Sequence, residues 1–555
     1  MAAAVSGDRS GRAITNPLLE REEEDGYHEN CPGCRVDRMK RQQTKTNYLH
    51  LSYIWTVSLC TALPIQSLFP FIYFMIKDFH IAEKEEDIGY YAGFVGSSFM
   101  IGRALTSFLW GRVADRYGRK PVILIGTLSV VIFSSLFGLS TSFWMAISMR
   151  FLLGCFNSLL GIIRAYATEV CKDEHKALAL SIVSTSRGVG MIIGPAIGGF
   201  FAQPADKYPS LFPQNSIFRR FPYFLPCFII SIYSLGVFIA CWWIPETLHI
   251  HGKKLNERCD SRNITREDSA EESTVKSDIE EASNIRKPRK ANLLRNWPLM
   301  STIIVYCVFS LQEIAYSEIF ALWAVSDKSY GGLSFSSQDV GEVLTISGAF
   351  YHRMVGFKHP LHIHVNEIFE LTSSNNLACA LRTWSFDVPA SFIPADGKEA
   401  RPSYGHAPVS SNVPLTHIFF FTFMAVSIPL LACFPFIAML SGLVLHLVVN
   451  LASILRNTLS VSLVTGLFIL QNDAVAQSER AAANGISLTA MSVFKAFGPA
   501  GGGALFSWAQ KRQVAAFLPG DQMVFFVLNL VQGIGLILTF KPFLAQPNLP
   551  SVASN

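Results

Sequence analysis

Seven ionisable side chains stand inside stretches otherwise apolar enough to cross a bilayer: Arg103, Arg150, Arg187, Glu313, Glu318, Arg456 and Lys495. Charge in hydrocarbon is costly, so such residues pair with one another, face a bundle interior, or line a path for protons or ions. Glu313 and Glu318, both in the seventh apolar stretch, are the only acids well inside any span, which makes them the candidate proton sites. Burial favours a neutral carboxylic acid and a neighbouring guanidinium favours the carboxylate, so gain or loss of a partner during a conformational change can load and release a proton. The competing reading is a static ion pair. Arg150, Arg187, Arg456 and Lys495 are candidates for anionic substrate groups or for pairing with those acids, because a guanidinium stays charged and offers a carboxylate a fork of donors. For Arg150 the reading is static pairing.

Two further groups of residues could do chemistry. Cys31-Pro-Gly-Cys34 has a spacing that could bind a metal or cycle between thiol and disulfide, yet a closed zinc site needs four ligands and only His28 is near in sequence. The run from Trp110 to Lys120 is a short basic turn between two apolar stretches. In it Gly111 and Gly118 allow tight backbone geometry and Asp115 offers an acceptor. Arg112, Arg116, Arg119 and Lys120 keep it out of the hydrocarbon and on the cytoplasmic side. No nucleophile and base pair and no metal-ligand motif stands inside a span, so an enzyme is not expected.

These residues must be positioned by a membrane-embedded scaffold. Of the 555 residues half are hydrophobic and 16% charged, with 43 Phe, too apolar for an ordinary soluble domain. The net charge of +5 sits mainly in short loops and tails, which reports orientation in a lipid bilayer and argues against a nucleic-acid partner. The 11 Cys are scattered and several fall in apolar spans, so no disulfide framework is expected. No cofactor is implied.

Spans of roughly 20 residues, the length that crosses about 30 Å of hydrocarbon, are expected at Tyr53 to Ile76, Tyr90 to Trp110, Pro121 to Leu139, Phe143 to Ala167, Ala177 to Phe201 and Tyr223 to Ile244. The second half supplies Met300 to Val325, His417 to Leu440, Val444 to Leu470, Gly485 to Trp508 and Met523 to Phe540. Domain boundaries follow: a disordered cytosolic tail over 1–46, a six-helix bundle over 47–245, a charged cytosolic linker over 246–297, a second bundle over 298–543, and a tail over 544–555. One crossing is truncated. An apolar run begins at Val340 and stops at Phe350, eleven residues or about half the hydrocarbon thickness at 1.5 Å each, and a polar insert occupies about 351–415. A retained intron or misplaced exon junction would produce such an insert, which leaves a transport-inactive or regulatory membrane protein as the alternative function.

The halves read as copies. Met145 to Arg150 parallels Leu451 to Arg456, and Gly194-Pro195-Ala-Ile-Gly198-Gly199 parallels Gly498-Pro499-Ala-Gly501-Gly502, the glycines at 194 and 498 lying 304 residues apart. In the fifth span Gly190, Gly194, Pro195, Gly198 and Gly199 share a register in which proline bends the helix and glycines admit a close neighbour. Repeated six-helix halves with a site between them near the midplane are a common plan of secondary transporters.

Together, Trp110-Gly111-x3-Asp115-Arg116-x-Gly118-Arg119-Lys120, Ser181-x8-Gly190-x3-Gly194-Pro195-x2-Gly198-Gly199, Cys31-Pro-Gly-Cys34 and Pro245-Glu246-Thr247-Leu248-His249-Ile250-His251 resemble the plant zinc-induced facilitator family of the major facilitator superfamily. The similarity covers about residues 28 to 350 and 425 to 543. It implies an all-α fold of two six-helix bundles with twelve spans, the eighth truncated or replaced here. It also implies a proton-coupled antiporter of the vacuolar or plasma membrane that moves small organic metal chelators such as nicotianamine or mugineic acids, and so acts in zinc and iron homeostasis; some relatives are linked instead to potassium or auxin. By the same resemblance, Arg112, Asp115 and Arg116 stabilise the outward-open state, and Cys31, Cys34, His249 and His251 are candidate metal ligands.

Overall fold

The computed structural model describes residues 31–42, 48–172, 175–213, 215–249, 293–356, 426–475, 480–540 and 543–544. His251, the middle of the linker, the polar insert from 357 onward and most of both tails lie outside the described residues.

Every regular element among the described residues is helical. After α1 (Pro32–Gln42), the first half runs through α2 (Tyr48–Gln66), α3 (Ile72–Asp78), α4 (Ile88–Tyr117), α5 (Arg119–Gly138), α6 (Phe143–Phe156), α7 (Leu160–Val170), α8 (Lys176–Phe201) and α9 (Phe224–Ala240). The second half has α10 (Trp297–Val325), α11 (Ser337–Gly356), α12 (Gly442–Asp473), α13 (Arg480–Gln510) and α14 (Asp521–Ile537), with a short apolar helical stretch, Val426–Ile437, before α12. Six helical stretches are long and apolar enough to cross a membrane: Arg119–Gly138, Phe143–Val170, Leu178–Phe201, Phe224–Trp243, Trp297–Val325 and Gly442–Ser460. Starts are written in the chain. The side chain of Asn296 accepts from the Leu299 N–H at the head of α10, where Pro298 occupies the first turn and needs no donor of its own.

Three expectations are corrected. The basic stretch is no extended turn: α4 stays helical through Tyr117, and Gly118 alone, at φ +110°, reverses the chain before α5 begins at Arg119. The fourth span is two helices, broken at residues 157–159. The helix of the eighth span continues past Phe350 to Gly356, 20 residues from Ser337, yet it is not among the stretches long and apolar enough to cross a membrane, in keeping with the truncated apolar run. Finally, part of the tail expected to be disordered is α1, tied down by a backbone bond from the Gly33 N–H to the Leu248 carbonyl at 3.1 Å.

The two halves meet along two seams, α4 with α13 and α8 with α11, and the repeat explains both. On α8, Gly190, Gly194 and Gly198 lie against Ala62, Gln66 and Ser67 at the end of α2, so closely that a Cβ on Gly198 would stand 2.0 Å from the Ser67 carbonyl oxygen. On α13, Gly498 and Gly502 lie against Ile314 and Ala315 of α10. One residue further along, Gly199 turns to Ser337 and Gly341 of α11, and Gly503 turns to Gly89 and Gly93 of α4. Each glycine of the second half is 304 residues from its counterpart. The stripe therefore packs each half internally and then joins it to the other.

The same offset relates two lysines that close one end of the seams. Lys207 donates to the Gly199 carbonyl and, at 2.7 Å, to Ser337 Oγ. Lys511 pairs with Asp87 at 2.6 Å. Burial pulls the Lys207 ammonium down to about 8, so it is a charged donor below that pH. Along the α4–α13 seam the Tyr90 N–H, an orphan of the first turn of α4, is taken by Ser507 Oγ at 2.8 Å, and the Ala500 N–H by Ser97 Oγ at 2.7 Å.

Candidate functional site

Toward the other end, which carries the basic residues of 112–120, the halves part around a cleft of about 900 Å³, open space included. Its lining places Arg103, Arg187 and Lys495 together, with Gln66, Asn157 and Ser492. On each helix these cations lie one or two turns from a closely packed glycine, at 103 against 96, 187 against 194 and 495 against 498. The three are close enough to feel one another's charge. No carboxylate lines the cleft, and none of the three forms an ion pair among the described residues. Glu313 is within electrostatic reach of Lys495, yet three cations in one cleft without an ion pair favour an anionic guest.

Asn157 was not singled out from sequence. It sits in the break between α6 and α7, is 3% exposed, and neither polar atom of its amide has a hydrogen-bond partner. The break is stabilised from α4. Thr106 Oγ1 and Trp110 Nε1 both donate to the Cys155 carbonyl at 2.7 Å, and Ser107 Oγ meets Ser158 Oγ at 2.6 Å. Non-helical backbone at this depth is tolerated where it lines a cavity, which is where Asn157 stands.

The two acids of α10 have different surroundings. Glu313 is held by Arg456 of α12 at 2.7 Å and by Ser460 Oγ. Arg456 also donates to Gln312 at 3.3 Å and lies 3.7 Å over the Tyr316 ring. Glu318, 1% exposed, has no ion pair among the described residues, and its Oε1 has no hydrogen-bond partner. It lies in the seam, where a Cβ on Gly96 of α4 would be 3.1 Å from its Oε2 and 2.9 Å from Pro499 of α13. Arg150 is within electrostatic reach of Glu318 but donates instead to the Pro64 carbonyl at 2.8 Å, in the last turn of α2, and lies over Phe99 and Phe137. Arg150 thus forms no ion pair among the described residues, and its bonded partner is a helix-end carbonyl. Tyr306, Tyr316 and Trp323 are buried in the apolar core.

At the basic end Glu246 organises the hairpin between α4 and α5. Its carboxylate accepts the Arg119 N–H at 2.9 Å, the Lys120 N–H at 3.0 Å, the Thr247 N–H at 2.8 Å and the Leu248 N–H at 3.1 Å. It thereby caps α5, where orphan donors and the helix dipole favour an anion. Gly118 is required twice over, by its positive φ and because a Cβ would stand 2.3 Å from Glu246 Oε2. The Arg119 guanidinium bridges Asp115 at 2.6 Å and Glu169 at 3.0 Å, and Thr247 Oγ1 donates to Glu169 at 2.6 Å. Arg112 and Arg116 are exposed and lie over the rings of Phe108 and Tyr117. The Asp115 side chain is 68% exposed, and nothing stands within 4 Å of a Cβ on Gly111. Replacing Glu246 by Ala strips a cap from four N–H groups, and a loss of about 1–2 kcal/mol is expected. Thermal unfolding in detergent checks it; an unchanged midpoint would remove Glu246 from this role.

The structure also brings together three of the four candidate metal ligands. Cys31 Sγ and Cys34 Sγ lie 4.0 and 3.9 Å from His249 Nδ1. His251 lies outside the described residues.

Comparison with known proteins agrees with this architecture. The Major Facilitator Superfamily profile matches residues 54–356. A probable peptide/nitrate transporter of Arabidopsis thaliana is 59% identical over 94% of this chain and 97% of its own length. Zinc Induced Facilitator 1 of the same plant is 52% identical over 95% of this chain and 97% of its own, and Zinc Induced Facilitator-Like 1 is 52% identical over 94% and 97%. Among solved structures, a D-xylose–proton symporter superposes with a TM-score of 0.61 at 11% identity, over 90% of this chain and 98% of that one. The chain is thus a multi-pass membrane transporter of the major facilitator superfamily and belongs to its zinc-induced facilitator-like family.

Proposed function

We infer that the protein is a proton-coupled antiporter that moves small, carboxylate-bearing metal chelators across the vacuolar or plasma membrane by alternating access, and so serves zinc and iron homeostasis. The observation that carries this reading is the cleft between the halves, lined by Arg103, Arg187 and Lys495 with no acid in its lining. Carboxylate groups of a chelator would meet guanidinium and ammonium donors there, and the unpartnered Asn157 amide would supply a neutral contact. With the basic end cytosolic, the cleft opens to the cytosol and the lysine-closed end faces away, a state ready to load from inside. Exposure of Asp115 in this state fits its role as a clamp for the opposite, outward-open one. Potassium would meet a cleft of its own sign. Auxin and nitrate, the latter in the name of a relative, are anions the same cleft would admit.

Uptake into sealed vesicles with an imposed pH gradient separates these guests. Labelled nicotianamine, nitrate, potassium and zinc ion are offered side by side. Saturable, gradient-dependent uptake of nicotianamine is expected. Arg187→Ala or Lys495→Ala should raise its KM on the order of ten- to a hundred-fold, the loss of one charge-assisted contact of about 1.5–3 kcal/mol. Potassium uptake without anion uptake, or an unmoved KM in both variants, would overturn the reading.

A further inference from the structure

The amino-terminal helix and the strap that follows α9 meet at a point remote from the central cleft. We propose that Cys31, Cys34 and His249 are ligands of a zinc(II) site, with Asp37 orienting the imidazole, that fastens α1 to the strap holding the α4–α5 hairpin.

The geometry is that of a preformed site. Both sulfurs face the same ring nitrogen at 4.0 and 3.9 Å, and the three ligand atoms all lie within 4.8 Å of one another. Tetrahedral zinc, with bonds of about 2.3 Å to sulfur and about 2.0 Å to nitrogen, places neighbouring ligand atoms roughly 3.6 Å apart. Contraction of up to about an ångström would complete the set. The other ring nitrogen, His249 Nε2, lies 3.3 Å from Asp37 Oδ2. A carboxylate on that side holds the proton on Nε2 and leaves Nδ1 to a metal, the arrangement in which most metal-bound histidines are found.

The residues between the ligands serve the same approach. A Cβ on Gly33 would stand 2.7 Å from the His249 ring, so only glycine admits the imidazole between the two cysteines. The Gly33 N–H bonds to the Leu248 carbonyl and fixes the register of the two segments. Cys31 and Cys34 are 3% and 5% exposed, although α1 is otherwise a polar, basic helix with little apolar surface to bury them. They are not joined as a disulfide.

Three ligands among the described residues leave a fourth position for water or a further donor. Three residues before His249, Glu246 caps the Gly118 hairpin. Zinc occupancy would therefore stiffen the strap on which the hairpin rests. Zinc binding at this point does not depend on what the central cleft carries.

The test uses the full-length protein, without a histidine tag, in detergent. After metal is stripped with a chelator and zinc chloride returned, one zinc per chain is expected by elemental analysis. Cobalt(II) in its place should give thiolate-to-metal charge-transfer absorption. Cys31→Ser combined with Cys34→Ser should lose both signals, and Asp37→Asn should weaken binding about 10- to 100-fold. Because a variant can fail to fold, zinc protection of Cys31 and Cys34 from maleimide, read by mass spectrometry, is measured on the unaltered chain. Unprotected thiols, a cobalt complex without the thiolate band, or full zinc content in the folded double variant would each overturn the site.

Discussion

Replacing Glu318 by Gln is expected to reduce pH-gradient-driven transport to the level of empty vesicles while exchange of substrate across the membrane without a gradient continues. Glu318 is buried in the seam between α10, α4 and α13, with no cation at bonding distance among the described residues and Arg150 engaged elsewhere. A seam that opens and closes as the halves rock would alternately expose this carboxyl to water and seal it away. A charge sealed there would lack a partner, and burying an unpaired charge costs several kcal/mol. On the proposed function, closing the seam would require a proton on Glu318 and opening it would permit release. Gln has the shape of the protonated acid and cannot ionise, so the variant should rock freely with its coupling removed. Transport against a substrate gradient that persists in Glu318→Gln would exclude this residue as the proton carrier.

Much of this arrangement was legible in the chain because it depends on spacing along one helix. Gly190, Gly194 and Gly198 are four apart and must share a face, and the offset of 304 residues predicts that Gly498 and Gly502 do the same job in the other half. Charges within apolar spans marked the cleft cations and both acids for the same reason. What was not legible depends on rotation of one helix against another, or on backbone groups. Which arginine would take Glu313 was open among three, and the choice of Arg456 follows from how α12 faces α10. The break at Asn157 has neither proline nor glycine at the break itself, and the donors that stabilise it come from α4. Glu246 binds backbone N–H groups about 127 residues earlier in the chain, partners that leave no mark on a side-chain pattern.

Glu313 and Arg456 are expected to behave as a bolt within the second half. Arg456 is only 6% exposed at its side chain and Glu313 27%, and both stay on helices of the same bundle. Rocking of one bundle against the other need not separate them. Glu313→Leu alone leaves a buried guanidinium without its counter-charge, for which a loss of about 3–5 kcal/mol is expected. Arg456→Leu leaves the carboxylate in the same position, at a similar cost. The double variant removes both charges and should recover most of that stability, since well-packed apolar replacements of a buried pair are often neutral or better. Thermal unfolding in detergent gives the three stabilities, and transport is measured on the double variant. Recovery of the fold together with retained proton-driven transport assigns the pair to structure and leaves Glu318 as the acid that carries the proton. Recovery of the fold with transport lost would instead make Glu313 the titrating group, its proton entering as Arg456 lets go.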